Sequence, residues 1–366
     1  MQSYLLAKDR LDGFVSRLAD RLTVYVPAKG ADGLWSFVAS GSAQPPLALT
    51  PEGGNTNMPP KSFVFPRTEV LMRFDNRAGE GGMILREEPV PAGRAVLLGV
   101  RPCDAKALAV LDGIFGRRAS GDASGEVSGG AFGADPYWAA RREATILCGL
   151  ACNYPCPTCF CDQMGCGPHH REGLDALWTD LGESYLVTIL TERGRELASD
   201  LAPAAQADLN RAESLKAEAA SLLTGKFPMD KIAQRGVLEL CELPLWAELA
   251  ATCLNCGACT HVCPTCHCFD IQDEVKGERG RRLRNWDTCM SGLFTRHASG
   301  HNPRGDKLAR VRQRFMHKFK YIPVKRGEAG CVGCGRCIKA CPVNIDVREV
   351  VRAMNEQAPQ TPEGAA

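Results

Sequence analysis

No stretch of this 366-residue sequence stays apolar for the ~20 positions that a membrane helix needs, which argues against a spanning segment. A charge excess of one sign is missing too. Lys and Arg number 44 against 42 Asp and Glu, a net +2, so no general pull toward nucleic acid or anionic lipid operates. Neither G-x-G-x-x-G nor G-x-x-x-x-G-K-[ST] occurs, leaving the common nucleotide and flavin sites without support. From Met1 to Arg21, the charged residues Lys8, Asp9, Arg10, Asp12, Arg17 and Asp20 are interspersed among apolar ones. That is the pattern of an amphipathic helix, not the uncharged core of an export signal, and the expected location is the cytoplasm.

What the sequence has in excess is cysteine, with 19. An odd number without an export signal argues against a disulfide framework. All but Cys103 and Cys241 fall into three groups: 148–166, 253–289 and 331–341. Their two-residue spacings point to metal.

The expected fold is an α+β or α/β N-terminal domain followed by a mainly α-helical two-cluster ferredoxin domain. Strands are expected at Leu22–Val26, Ala95–Val100, Ala144–Cys148 and Tyr185–Leu190, where apolar and β-branched residues run together. Asp104 should cap a helix through Ala105–Phe115. Residues 118–133 are Gly, Ser and Ala-rich, as in a flexible loop. Strand-like runs are scarce from Val237 onward, with helices expected at 244–250 and 347–355. The resulting division is an α/β domain with a cysteine-rich loop (1–195), a helical linker (196–236), the ferredoxin domain (237–356) and a flexible tail (357–366).

Cys253-x2-Cys256-x2-Cys259-x3-Cys263-Pro264 and Cys331-x2-Cys334-x2-Cys337-x3-Cys341-Pro342 each match the bacterial ferredoxin run. Soft thiolates hold iron. Gly257, Gly333 and Gly335 let the backbone close around a cluster. The fourth cysteine of such a run ligates the other cluster. One [4Fe–4S] cluster is therefore expected on Cys253, Cys256, Cys259 and Cys341, and the other on Cys331, Cys334, Cys337 and Cys263. Two structural zinc sites are the alternative, although zinc normally takes separate C-x2-C knuckles.

Residues 253–346 resemble a family of two-[4Fe–4S] electron-transfer subunits. It comprises the β subunits of soluble sulfhydrogenase-type nickel–iron hydrogenases and the corresponding relay component of anaerobic sulfite reductase. The resemblance rests on Trp286-Asp287-Thr288-Cys289, His301-Asn302-Pro303-Arg304, Arg314-Phe315-Met316-His317-Lys318 and the segment Gly330–Cys337. It reaches the N-terminal half through Arg101-Pro102-Cys103-Asp104 and Cys159-Phe160-Cys161. It implies an electron relay between a flavin-containing, NAD(P)H-reactive subunit and a catalytic subunit. Cys148, Cys156 and Cys166 go beyond the family's pattern.

Cys103 and Cys148 end strand-like runs, and the crevice beyond strand C-termini collects ligands. A third iron–sulfur cluster is expected there on Cys103, Cys152, Cys159 and Cys161, with Cys156 as replacement. A structural zinc or free redox thiols compete. A reductase acting on a sulfur compound or disulfide through this loop is the alternative function. His169 and His170 read as exposed turn residues. Cys266, Cys268 and Cys289 read as small buried hydrophobes, with a redox or further metal role as the other reading. Cys241 reads as core. The 15 Lys and Arg of residues 276–326 read as a solvated or cluster-neutralising surface, or as a docking face for an acidic partner.

Overall fold

The computed structural model describes residues 2–43, 47, 49, 54–76, 83–90, 93–116 and 133–359. Of the expected loop at 118–133 and tail at 357–366, residues 118–132 and 360–366 lie outside them.

The elements follow in chain order: β1 Ser3–Ala7, α1 Leu11–Ala19, β2 Thr23–Lys29, β3 Trp35–Ala39, β4 Thr68–Asp75, β5 Ile84–Glu87, β6 Ala95–Val100, α2 Pro102–Phe115, α3 Pro136–Ala144, β7 Thr145–Leu150, β8 Ala176–Asp180, β9 Ser184–Ile189 and β10 Ala202–Pro203. Then come α4 Gln206–Ser221, α5 Val237–Cys241, α6 Leu245–Thr252, α7 Ala258–His261, β11 Phe269–Lys276, β12 Arg279–Trp286, α8 Lys307–Met316, α9 Ile322–Arg326, α10 Arg336–Lys339 and α11 Val347–Glu356.

Eight strands form one sheet in the order β10-β1-β9-β8-β7-β6-β2-β3. Its centre, β2-β6-β7-β8, is parallel. A parallel strand is buried on both faces, which explains the unbroken apolar runs AVLLGV and TILCGL. Alternate residues serve opposite layers. Val96, Leu98, Ile146 and Leu150 pack with Phe14 and Leu18 of α1. Leu97 and Leu147 pack with Leu108 and Leu111 of α2. The expected strands over 22–26, 95–100, 144–148 and 185–190 are found within a residue or a few of those bounds.

Two expectations are corrected. Residues 3–7 form a strand, not the start of a helix, because SYLLA pairs along β9 over its whole length. Helix α2 begins at Pro102 with Arg101 at its N-cap. Asp104 sits in the first turn, its carboxylate taken by Arg336. The ferredoxin region carries helices α5 to α11, as expected, together with two strands. The β11–β12 hairpin projects from it and joins β4 and β5 in a second sheet, order β11-β12-β4-β5. Leu283 stands opposite Val70, and buried Arg284 pairs with Glu69 and Asp135.

Around the cysteine loops, Trp246 of α6, Val311 and Phe315 of α8, and Val350 and Val351 of α11 form a separate core. Phe160 and Phe227 from earlier segments belong to it. Cys241 packs against this core from a half-buried position.

Candidate iron–sulfur centres

The two ferredoxin runs fold into matching loops. In each, the residue before the second cysteine takes positive φ, Asn255 at 58° and Gly333 at 63°. The residue after it does so too, Gly257 at 74° and Gly335 at 73°. This left-handed geometry curls the chain so that amides face the thiols. The N–H of Asn255 donates to Cys253 Sγ at 3.3 Å, and that of Gly333 to Cys331 Sγ at 3.4 Å. The N–H of Ile345 donates to Cys341 Sγ at 3.2 Å.

The loops interlock. Cys253, Cys256, Cys259 and Cys341 line one cavity together with Cys337 of the other set, closed by Arg314, Phe315 and Val347. Cys263 meets the other loop. Burial pushes the Cys331, Cys334 and Cys337 thiols up, Cys334 to about 12, and charge on Cys263 adds to all three. A thiolate in such surroundings needs a bound cation. Exposure differs between the loops. Cys256 is exposed, whereas Cys263 and Cys334 are buried.

An anionic group fits this site for a second reason. Lys61, Arg314 and Lys318 are only 2%, 4% and 5% exposed. Among the described residues none of them pairs with a carboxylate, and a buried charge without a partner is strongly destabilising. Their anionic neighbours are thiols. Arg314 Nη1 lies 3.7 Å from Cys266 Sγ. Burial opposes the Arg314 and Lys318 charges, and surrounding thiolates, Cys259 and Cys263 foremost, override it and hold both side chains protonated. Lys61 is lowered by burial, with Cys266 and Cys263 opposing. An all-thiolate iron cube, if bound, would supply the missing negative charge.

Much of the basic segment is spent inside the protein. Arg281 and Arg282 pair with Glu274 and Asp273 across the hairpin, and Arg279 pairs with Asp75. Arg284, Arg314, Lys318 and Lys320 are buried. Arg314 and Lys318 are thus buried beside thiols and are not part of a solvated surface.

The N-terminal cysteines converge as the topology of the parallel sheet implies. Cys103 follows β6, and the 152–166 loop follows β7. Cys103, Cys161, Cys159 and Cys166 pack together with Cys334. Cys152 lies near enough for its charge to act on both Cys103 and Cys161. Cys148 faces the sheet core instead, beside Trp178. Cys156 is lowered to about 6, first through its contact with Cys159 and then by Lys339 and Arg101. Among the described residues no three His, Cys, Asp or Glu side chains stand close enough to share a single metal ion.

This group is docked on the second ferredoxin loop. Phe160 N–H donates to Gly333 O at 2.9 Å, and Asn55 Nδ2 to Cys334 O at 2.8 Å. A Cβ on Gly333 would stand 2.5 Å from Phe160 O, and one on Gly335 2.4 Å from Thr158 Oγ1. Arg336 donates to both Asp104 oxygens at 2.5 and 2.7 Å, with both residues buried.

Two expectations change. His169 and His170 are half-buried, not exposed, and burial holds His169 at about 4. Cys266, Cys268 and Cys289 are half-buried rather than fully buried, and their sulfurs have sulfur partners: Cys266 touches Cys263, and Cys268 touches Cys289. A signal for this was present in the sequence. The pattern C-x3-C-P-T-C-x-C occurs twice, at Cys152–Cys161 and Cys259–Cys268, which ties Cys266 and Cys268 to the cysteine chemistry rather than to the core.

Interlocked C-x2-C-x2-C-x3-C-P loops around buried, carboxylate-free cations define the class: an iron–sulfur protein of the electron-transfer kind. Residues 252–345 match the family described as a 4Fe-4S dicluster domain. Over 310 residues the chain is 29% identical to sulfhydrogenase 2 subunit beta of Pyrococcus furiosus, covering 82% of this chain and 84% of that one. No solved structure matches. Among the described residues no helix is long and apolar enough to cross a membrane.

Proposed function

We propose that the chain is the iron–sulfur subunit of a soluble multi-subunit redox complex in the cytoplasm. It would relay electrons between a flavin-containing, NAD(P)H-reactive subunit and a catalytic subunit. The similarity to a sulfhydrogenase β subunit favours a hydrogenase-type partner. Cys253, Cys256, Cys259 and Cys341 would hold one [4Fe–4S] cluster, and Cys331, Cys334, Cys337 and Cys263 the other. Bound there, the clusters supply reversible one-electron storage. The N–H donors of Asn255, Gly333 and Ile345 tune it, and Arg314 and Lys318 balance its charge. Cys103, Cys152, Cys159 and Cys161, with Cys156 in reserve, would hold a third cluster. In the proposed division, residues 237–356 carry the relay, 1–195 form the platform beneath it, and 196–236 link the two.

The observation that carries this reading is the set of buried cations whose anionic neighbours are all thiols. Iron and acid-labile sulfide analysis of anaerobically purified protein tests it. About eight irons per chain support two cubes and about twelve support three. A colourless sample holding zinc overturns it.

A second reading has its own support. Cys156 lines a cleft of about 740 Å³ together with Arg101, Arg211 and the Lys8–Asp180 ion pair, a net positive lining. A thiolate at the wall of a basic cleft suits a reductase acting on a sulfur compound or disulfide. Turnover of such a substrate by the isolated chain with an artificial donor, lost in Cys156→Ser, would establish it. No turnover would leave the relay alone.

A further inference from the structure

Beside the cluster loops lies a separate cleft of about 280 Å³, lined by His267, Cys268, Phe269, Cys289, Arg304 and His317. Its two cysteines come from opposite sides of the hairpin base. Phe269 pairs with Trp286, and Asp287 N–H donates to Cys268 O at 3.0 Å. This brings Cys289, two residues further on, diagonally across from Cys268, with the two sulfurs in hydrogen-bonding contact. Neither belongs to the eight thiols of the ferredoxin runs. The pair is thus a vicinal dithiol in space, open to solvent through the cleft.

We propose that Cys268 and Cys289 form a thiol–disulfide exchange site for small anionic disulfides.

The surroundings fit that chemistry. The sulfur–sulfur contact with Cys289 holds the Cys268 thiol below its ordinary range, with burial opposing it. In the proposed exchange Cys268 acts as the nucleophile and Cys289 as the resolving thiol. Arg304 makes no carboxylate pair among the described residues and offers a counter-charge to an anionic ligand. Phe269 supplies an apolar wall.

The reaction balances without an outside oxidant. Cys268 Sγ attacks one sulfur of R–S–S–R. A Cys268–SR bond forms, the S–S bond breaks, and RS⁻ leaves. Cys289 Sγ then attacks Cys268 Sγ, forming the Cys268–Cys289 bond and releasing the second RS⁻. The two thiol protons leave with the two products. The net change is dithiol plus disulfide to protein disulfide plus two RSH. Return to the dithiol takes two electrons and two protons from a thiol reductant, or from one-electron iron–sulfur centres on the relay reading.

The test uses the full chain, anaerobically purified and reduced, with oxidised glutathione as probe and peptide mass analysis as readout. Wild type should release two glutathiones and join the Cys268 and Cys289 peptides with loss of two hydrogens. Cys289→Ser should retain one glutathione on Cys268, and Cys268→Ser should do neither. Arg304→Ala should raise the half-saturating glutathione disulfide about tenfold while leaving hydroxyethyl disulfide unchanged. Iron is counted in parallel. Unreacted Cys268 and Cys289, or glutathione on another cysteine, overturns the proposal. So does loss of about four irons in either serine variant, because the pair would then be cluster ligands. The mass readout holds whether or not iron is present, so failure of the relay reading is told apart from failure of this one.

Discussion

Single side chains set the electrostatics of this molecule. Lys318 donates to Thr265 Oγ1 at 2.8 Å and Gly330 O at 3.0 Å, and no carboxylate answers its charge among the described residues. Replacing it by Met removes a positive charge beside the Cys263 and Cys331 thiols. At roughly 8 Å and an effective dielectric of 20, one charge is worth about 2 kcal/mol, or about 90 mV for one electron. Lys318→Met should therefore lower one midpoint potential by about that much, read by redox titration followed by electron paramagnetic resonance; an unchanged potential would remove the charge-balancing role. Arg336 acts on stability instead. Arg336→Ala leaves Asp104 buried and unpaired, at a cost of about 3–5 kcal/mol, measurable as a lowered thermal midpoint. Arg336→Met with Asp104→Leu should recover most of the loss. Asp104 also shows why a local reading failed: its spacing is right for a cap, but a partner 232 positions away claims the carboxylate.

At the level of loops and elements, the two ferredoxin turns share a backbone and differ in what surrounds them. Gly333 is confined by Phe160 and Cys161, whereas Gly257 has only side chains, none nearer than 3.6 Å. Gly333→Ala should reduce bound iron and loosen the docked N-terminal loop, and Gly257→Ala should strain only the local turn. Iron content and limited proteolysis of the two variants separate these outcomes. The wider π-type turn at His317–Tyr321 interrupts the run from α8 to α9. It aims Lys318 at the thiols and brings the His317 ring 5.5 Å from that of His267, a placement typical of such insertions at functional sites. The sequence made the buried strands legible because burial on both faces demands unbroken apolar runs. It concealed the β11–β12 hairpin because FDIQDEVK is exposed along its whole length. That strand is held by cross-strand ion pairs and a Gly277 turn, with little apolar patterning to read. The two ferredoxin runs were legible because their spacing is local. The Cys268–Cys289 contact was not, since it depends on hairpin register.

For the whole molecule, pH offers a global probe. Burial first of all holds His169, His267 and His317 at about 4 in the folded state, against about 6.5 when unfolded. Between those values the unfolded chain binds more protons, so stability rises with pH and is fully present above about 6.5. Denaturant midpoints should fall as pH drops from 6.5 to 4, and His317→Gln should flatten that slope; a midpoint independent of pH there would contradict the buried neutral imidazoles. The two halves are also joined by specific contacts into one body. The Arg336–Asp104 pair, the Phe160–Gly333 bond and the β12–β4 pairing all cross between them. One asymmetry of that body has a practical side. Cys256 stands exposed at the rim, whereas no cysteine of the second loop is exposed and Cys334 and Cys263 are buried. Dissolved oxygen reaches the rim sulfur first, and oxidation of a ligand starts where access is greatest. Bleaching in air would then proceed from the outside inward, with a half-faded sample still holding its inner cube, and the tolerance of the preparation to handling would be set by a single corner of the protein.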